Sequence, residues 1–297
     1  MARRPQSFVT VDVFTDRRFG GNQLAVFTDA RGLSDAEMQS LAAEMNYSET
    51  TFVLPPTDPA NTARVRIFTR TAEMPFAGHP NVGTAYVLAG AMPGVAVLRF
   101  EEIAGLVEVR IERDDSGRPV GAEIDAPQPL QLLGDLPVSD IAACLGLQPA
   151  DIRTDVHAPV RASVGVDFVL AEVAADALSR AAPDKAAFER AAAAQREHGN
   201  RLSIFFYARD GENIRARMFA PLGGTWEDPA TGSANATLGA LLLSLSGKDE
   251  LAYEAVQGVE MGRPSRLAVS ARRTPDGIRA RVAGRCVPVL SGEARID

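Results

Sequence analysis

The chain has 297 residues, of which 46% are hydrophobic and 23% are charged, and this is typical of a globular protein large enough for two domains. Its formal net charge of -7 argues against nucleic acid as a partner, because binding to phosphates needs a basic surface. No stretch reaches the roughly 18 apolar residues of a membrane span. Arg3-Arg4 is followed by an alternating strand instead of an apolar signal segment, so we expect a cytoplasmic protein with no membrane partner.

The first half is predicted to be rich in strands. Val9–Phe14 alternates as a half-buried strand, which turns at Gly20-Gly21-Asn22. Ser34 and Glu37 form a capping box that predicts a helix over 35–45. A second helix is expected to begin near Pro80 and to end at Gly90. The remaining strands of this half are expected at 23–27, 50–54, 64–69, 95–101, 106–112 and 120–125.

The second half repeats this organisation after a proline-bearing linker, 127–137. Helices are expected at 141–145, at 185–197 and from near Ala234, where Ser233 is placed to cap the helix. Because the strands come in runs, the fold class is α+β, with two β-barrel-like halves that each surround a central helix. We expect the halves to span 1–126, completed by a strand at about 286–297, and 127–285. The remaining strands are expected at 167–173, 202–208, 214–220, 253–256, 266–270 and 278–282, and the strand that completes the first half is expected to begin with 286–290.

One local pattern occurs twice. Pro75-x-x-Gly78-x-x-Asn81 and Pro229-x-x-Gly232-x-x-Asn235 each follow a strand that ends in phenylalanine, and each opens a helix of small residues. The repeat indicates two related halves, although two ordinary helix caps could look alike. A helix start offers unpaired N–H groups and so suits an anion. Two such starts facing one cleft would hold a small carboxylic acid.

The repeated turns lie beside several side chains that could transfer protons. Glu49 opens a strand directly after a helix, and burial in an apolar cleft would raise its pKa toward a working range. We therefore predict that Glu49 carries a proton, with His79 or Asp228 as orienting groups. Structural alternatives remain: Glu49 could be an exposed loop residue, His79 a helix cap, Asp228 an Asx turn and Ser233 a plain N-cap.

Backbone donors complete the predicted site. Gly78 and Gly232 lack a Cβ atom, which allows a ligand to approach the backbone closely. The residues predicted to bind substrate are Gly78, Asn81, Gly232 and Ser233.

The cysteines and histidines predict no metal site. Cys144 and Cys286 lie in no Cys-x-x-Cys or Cys/His ligand spacing, and we expect both to be buried small apolar side chains. His79, His157 and His198 are too widely scattered to suggest zinc.

The motifs together resemble the PhzF-like phenazine-biosynthesis family. The resemblance implies a diaminopimelate epimerase-like fold with the active site between two pseudo-symmetric halves. It also implies a homodimer that isomerises trans-2,3-dihydro-3-hydroxyanthranilate without cofactor or metal. Nearly the whole chain is covered, in order, by Val11-Asp-Val-Phe-Thr, Gly21-Asn22, Asn46-Tyr-Ser-Glu-Thr-Thr-Phe-Val, Pro75-Phe-Ala-Gly-His-Pro80, Glu227-Asp-Pro-Ala-Thr-Gly-Ser233 and Gln257-Gly-Val-Glu-Met-Gly-Arg-Pro-Ser265.

The resemblance also implies roles for single residues. Glu49 would move the proton between ring carbons, while His79, Asp228 and Ser233 would bind the substrate and assist the transfer. Two positions depart from the family pattern, which usually has proline at Gln23 and leucine at Tyr47. Since Tyr47 is near the proposed base, the phenazine substrate is in question.

Three other functions stay open at this point. A cofactor-independent amino-acid racemase or epimerase of the same fold would use a thiol at each helix start, where this chain has Gly78 and Gly232. A catalytically silent small-molecule-binding or scaffold protein is a second alternative. A serine hydrolase that uses Ser233 is the third, although the sequence around it lacks the second glycine of a nucleophile elbow.

Overall fold

The computed structural model describes residues 5–195 and 201–296. His198 and Arg3-Arg4, which the sequence analysis considered, lie outside these ranges. The helices of the described residues are α1 (Asp35–Met45), α2 (Gly78–Ala89), α3 (Val138–Cys144), α4 (Ala175–Arg180), α5 (Lys185–Ala194) and α6 (Gly232–Ser246). The strands are β1 (Gln6–Val13), β2 (Asn22–Phe27), β3 (Glu49–Leu54), β4 (Ala63–Thr69), β5 (Glu73–Met74), β6 (Val97–Glu102), β7 (Gly105–Arg113), β8 (Pro119–Asp125), β9 (Gln131–Asp135), β10 (Ile152–Arg153), β11 (Val160–Ser163), β12 (Asp167–Val173), β13 (Ile204–Asp210), β14 (Asn213–Phe219), β15 (Glu250–Gln257), β16 (Ser265–Thr274) and β17 (Gly277–Ala294).

The chain forms two compact units, Met1–Asp125 with Ala283–Asp297, and Ala126–Val282. The corresponding limits expected from the sequence are 126 and about 286. None of the helices in the described ranges is long and apolar enough to cross a membrane.

The first unit is a closed barrel of eight strands. Neighbouring strands pair in the order β1-β2-β3-β4-β6-β7-β8-β17, and β17 pairs again with β1. Helix α2 packs against β1, β2, β3, β7 and β8, so it lies inside the barrel. Helix α1 covers the barrel from outside, where it packs on the stacked rings of Phe27 and Phe52 and on Phe68, which meets Phe52 edge to face.

The second unit wraps a sheet around α6 in the same way. Its strands pair in the order β9-β11-β12-β13-β14-β15-β16, and α6 packs against strands near both ends of this order, β11 and β12 as well as β15 and β16. Backbone hydrogen bonds of 2.9 Å join Ala126 N to Ala280 O and Leu130 N to Ile278 O, which ties the start of β17 to the segment before β9. Helices α3, α4 and α5 cover the outer face of this sheet with a second apolar core.

Parallel and antiparallel strand pairs follow one another in the same order in the two units. In the first unit, β1 to β6 pair as antiparallel, parallel, antiparallel and parallel, with α1 and α2 in the two parallel crossovers. In the second unit, β11 to β15 repeat this order, with α4 and α5 in the first crossover and α6 in the second. The pseudo-symmetric α+β architecture predicted from the sequence is therefore confirmed.

Small residues let the central helices fit inside their sheets. A Cβ atom at Gly83 in α2 would lie 2.6 Å from Leu24 Cδ2 and 2.8 Å from Val13 Cγ2. Likewise, a Cβ atom at Gly239 in α6 would lie 2.7 Å from Val269 Cγ1. Both helices are buried around most of their circumference, which explains why they show no clear polar face.

Several sequence predictions of single elements were wrong. Two separate C-terminal strands were expected, but Gly277–Ala294 is one continuous strand. Its Gly284 interrupts the apolar alternation because Gly121 of β8 packs directly on it, at a distance that leaves no room for a Cβ atom at Gly121. The expected linker 127–137 contains β9, which pairs with β11.

Candidate functional site

Glu49 lies at the start of β3, where its neighbour across the sheet is Thr69 of β4. The carboxyl side chain is largely buried, with 17% of its surface exposed. This burial raises the pKa of Glu49, while the nearby Ser48 hydroxyl and the positive charge of Arg70 oppose the rise. A carboxyl group held in this way can both take up and release a proton closer to neutral pH than a free glutamate can.

His79 faces Glu49, with Nε2 3.5 Å from the Glu49 Oε2 atom. The other ring nitrogen, Nδ1, lies 3.4 Å from Asn22 Nδ2. Ser48 Oγ donates to Asn22 Oδ1 at 3.1 Å, and this orients the Asn22 amide with its N–H group toward the ring. Nδ1 therefore accepts, so the neutral imidazole carries its proton on Nε2, toward Glu49.

The first helix start presents Gly78 and His79. Helix α2 begins at Gly78, two residues before the expected start at Pro80, and Ala77 at its N-cap supplies no side-chain hydrogen bond. Asn81 Nδ2 donates to the Ala77 carbonyl at 3.0 Å, and Asn81 is fully buried. Asn81 thus braces the turn, and its predicted contact with substrate stays a prediction.

The second helix start presents Gly232 and Ser233. Helix α6 begins at Gly232 with Thr231 as the N-cap, so the expectation that Ser233 caps a helix beginning near Ala234 was wrong. The Ser233 backbone is already helical, and its carbonyl accepts a 2.8 Å hydrogen bond from the Thr237 hydroxyl. Asn235 Nδ2 donates to the Thr231 carbonyl at 3.0 Å, the same contact that Asn81 makes in the first unit.

Asp228 is fixed to this second helix start. It is buried, and it accepts a 2.6 Å hydrogen bond from the Thr231 hydroxyl. Gln257, which is fully buried, donates to the Asp228 carbonyl at 2.8 Å and to Thr231 Oγ1 at 3.0 Å, and its Oε1 accepts from Thr231 N and Asn235 Nδ2. These bonds hold Asp228 rigidly beside Gly232 and Ser233.

A partly buried arginine–glutamate pair precedes each helix start. Each glutamate lies two residues before the proline of the repeat, and each arginine lies two residues before a phenylalanine, Phe68 near the end of β4 or Phe219 at the end of β14. Arg66 donates two bonds of 2.6 Å to Glu73, and its guanidinium lies 5.1 Å from the Phe68 ring.

The pair in the second unit has the same geometry. Arg217 donates to Glu227 at 2.8 and 2.9 Å, and its guanidinium lies 4.8 Å from the Phe219 ring. The repeat therefore extends to Arg-x-Phe followed by Glu-x-Pro-x-x-Gly-x-x-Asn, a pattern that the sequence contained and that our sequence analysis missed. Matching contacts in both units support an origin by internal duplication.

The structure places no thiol at either helix start. Cys144 lies in α3 and Cys286 in β17, both are buried, and burial raises both thiol pKa values, that of Cys144 to about 12. The prediction that both behave as buried apolar side chains is confirmed. Within residues 5–195 and 201–296, no group of three or more His, Cys, Asp or Glu side chains is arranged to hold a metal ion.

Comparison with known proteins gives a consistent result. Residues 11–292 match the family model described as phenazine biosynthesis-like protein. The chain is 38% identical to an uncharacterised isomerase of Mesorhizobium japonicum, covering 97% of this chain and 98% of that one. It is 36% identical to the trans-2,3-dihydro-3-hydroxyanthranilate isomerase of Pseudomonas aeruginosa, again covering 97% and 98% of the two chains.

Solved structures resemble the fold of this chain. A PhzF-family phenazine biosynthesis protein of Bacillus anthracis has a TM-score of 0.88 at 26% identity, covering 99% of this chain and 100% of that one. A probable proline racemase of Agrobacterium radiobacter has a TM-score of 0.64 at 14% identity, covering 98% of this chain and 93% of that one, and it shares the fold alone.

Proposed function

The chain belongs to the phenazine biosynthesis-like family and is an isomerase, and we propose that it moves a proton between two carbons of a small cyclic or unsaturated carboxylic acid. The proposed substrate is trans-2,3-dihydro-3-hydroxyanthranilate or a related compound, since the Pseudomonas aeruginosa relative bears that name. The observation that carries the proposal is the Glu49 carboxyl, which is buried, raised in pKa and 3.5 Å from His79.

In the proposed reaction Glu49 acts first as base and then as acid. Its carboxylate takes a proton from one carbon, the electron pair of that C–H bond shifts along the conjugated system, and the protonated Glu49 returns a proton to another carbon. The substrate and product have the same atoms and charge, so the step consumes no cofactor. His79, with its proton on Nε2, stabilises the carboxylate whenever Glu49 is ionised.

The two helix starts are proposed to bind the substrate carboxylate and ring substituents. The first-turn N–H groups that begin at Gly78 and Gly232 have no partners within their own helices, and a glycine at each first position leaves the backbone open. Ser233 could add a hydroxyl donor, and the rigidly held Asp228 an acceptor. That both starts contact one ligand, and that the enzyme is a homodimer, stay predictions from the sequence.

Deuterium exchange would test this function and separate it from the racemase alternative. The protein is incubated in D2O with trans-2,3-dihydro-3-hydroxyanthranilate, with related cyclic unsaturated acids and with saturated amino acids, and each compound is followed by NMR. We expect conversion, with deuterium at the receiving carbon, for an unsaturated acid. Exchange confined to the Cα of a saturated amino acid would favour a racemase, and no conversion or exchange would support the silent binding protein.

A further inference from the structure

Trp226, the single tryptophan of the chain, lies two residues before Asp228 and has no role in the proposed reaction. It exposes 58% of its surface, and its indole N–H group has no hydrogen-bond partner among the described residues. Tryptophan is mostly buried in folded proteins, and it is enriched among the residues that carry binding energy. Single exposed apolar residues are common, so this exposure becomes informative only together with the position of the ring.

The backbone on both sides of Trp226 is fixed. On the N-terminal side, Thr225 and Ala220 exchange hydrogen bonds of 3.1 and 3.3 Å across an isolated bridge. On the C-terminal side, Asp228 N donates to the Met218 carbonyl at 3.1 Å. The ring is therefore carried by a segment that is bonded at each end, and such a support lowers the entropy lost when a ligand packs on the ring.

The first unit shows that this turn does not need a large side chain. The residue before the paired glutamate is Trp226 in the second unit and Ala72 in the first. With alanine there, Glu73 still accepts two bonds of 2.6 Å from Arg66. The indole ring is therefore an addition that the duplicated framework does not require.

The ring is within reach of the second helix start. Cα atoms two residues apart lie at most about 7 Å from each other, so Trp226 is close to Asp228. The Asp228 carboxylate accepts the 2.6 Å bond from Thr231, the N-cap of α6. Glu227, between the two, is turned to Arg217, which fills that side of the chain. The exposed ring therefore has its free space on the side of Asp228.

We propose that Trp226 stacks on the ring of the substrate while the second helix start binds the substrate's carboxylate, which makes the enzyme selective for acids whose ring is flattened by double bonds. The inference rests on the proposed function, since it assigns one face of the same site. Offset contact between two flat rings strengthens binding by about two- to tenfold beyond the effect of the buried area. A saturated ring of the same size buries a similar area but offers no flat π face.

The fluorescence of Trp226 tests the proposal without labelling, because no other tryptophan is present. The probe is benzoate, a planar cyclic acid that a proton shift cannot convert, and the comparison is cyclohexanecarboxylate, which has a saturated ring. We expect benzoate to change the tryptophan emission saturably and to protect the ring from quenching by acrylamide. Benzoate should also bind about two- to tenfold more tightly than cyclohexanecarboxylate.

Two variants separate stacking from a structural role. Trp226→Ala carries the residue that the first unit has, so its thermal midpoint should stay close to wild type. In NMR titrations its affinity for benzoate should fall about tenfold, and its preference for benzoate over cyclohexanecarboxylate should disappear. Trp226→Phe keeps an aromatic ring and should keep the preference. Leu290→Ala is the matched control, because Leu290 is equally exposed, at 58%, and lies in the first unit.

The outcomes separate this inference from the proposed function. Benzoate-dependent emission without conversion of trans-2,3-dihydro-3-hydroxyanthranilate would support stacking and refute the reaction. Equal benzoate affinity in wild type and Trp226→Ala, or no binding of benzoate at all, would overturn the inference even if the reaction occurs. Emission that changes on dilution of the protein but not with benzoate would overturn it too, since Trp226 would then pack against a second copy of the chain.

Discussion

Replacing Glu227 by glutamine tests how strongly the arginine–glutamate pairs hold the two helix starts. Only 7% of the Arg217 side chain is exposed, and its other hydrogen-bond partners are the neutral carbonyls of Leu178 and Ala181. Glu227→Gln would leave this buried guanidinium without an anion. Removing one partner of a buried ion pair costs about 3–5 kcal/mol, and because the amide oxygen can still accept one bond, we expect about 3 kcal/mol.

The equivalent change in the first unit should cost less, and this makes it the matched control. Arg66 is 15% exposed and has a second carboxylate partner, Asp35, at 2.5 Å. Glu73→Gln would therefore leave one anion in place, and we expect a loss of about 1 kcal/mol.

Urea unfolding, followed by far-ultraviolet circular dichroism and by the fluorescence of Trp226, the single tryptophan, gives both free energies. An equal or larger loss for Glu73→Gln, or a loss below about 1 kcal/mol for Glu227→Gln, would refute the reasoning.

Three further changes follow from the described contacts. Gly83→Ala should destabilise the protein by about 1–3 kcal/mol in urea unfolding, because its Cβ atom would collide with Leu24 and Val13. Helix propensity alone would instead stabilise the variant by about 1 kcal/mol. The control Gly223→Ala should have little effect, because its Cβ atom would meet nothing within 4 Å. Asn22→Ala should release the His79 tautomer, so that nitrogen-15 NMR of the imidazole no longer finds the proton held on Nε2, and a spectrum unchanged from wild type would contradict this. Ser233→Ala should raise KM but change the free energy of unfolding by less than about 0.5 kcal/mol, since Ser233 is not the N-cap. A loss of stability near 1 kcal/mol would instead show that Ser233 caps the helix.

Short sequence motifs predicted the ends of helices where the helix is stopped or started by residues close to it in sequence. The capping box of Ser34 and Glu37 predicted the observed start of α1 at Asp35. Both central helices begin about two residues earlier than predicted. The sequence suggests Pro80 as the first helical residue of α2 and Ser233 as the N-cap of α6. In the structure Gly78 and Gly232 are already helical.

The unpredicted part of the site depends on contacts between residues far apart in sequence. Asn22, the first residue of β2, and Ser48, which directly precedes β3, together fix the His79 tautomer. Gln257 lies 29 positions after Asp228 in the sequence and donates a hydrogen bond to its carbonyl. No spacing rule reveals such contacts in a single sequence. The arginine–glutamate pairs differ, because they repeat at fixed offsets from the turns and could have been found by extending the comparison of the two halves.

Glu49→Gln tests the central claim most directly, because the amide keeps the shape of the side chain but cannot carry the proton. Conversion of trans-2,3-dihydro-3-hydroxyanthranilate and deuterium uptake from D2O are measured on wild type and variant, with ligand binding and the thermal midpoint as controls for folding. The account predicts binding close to wild type and a loss of conversion and exchange of about 10²–10⁴-fold. Equal conversion and exchange in the two proteins would show that the proton is carried elsewhere, with Asp228 or His79 as the next candidates.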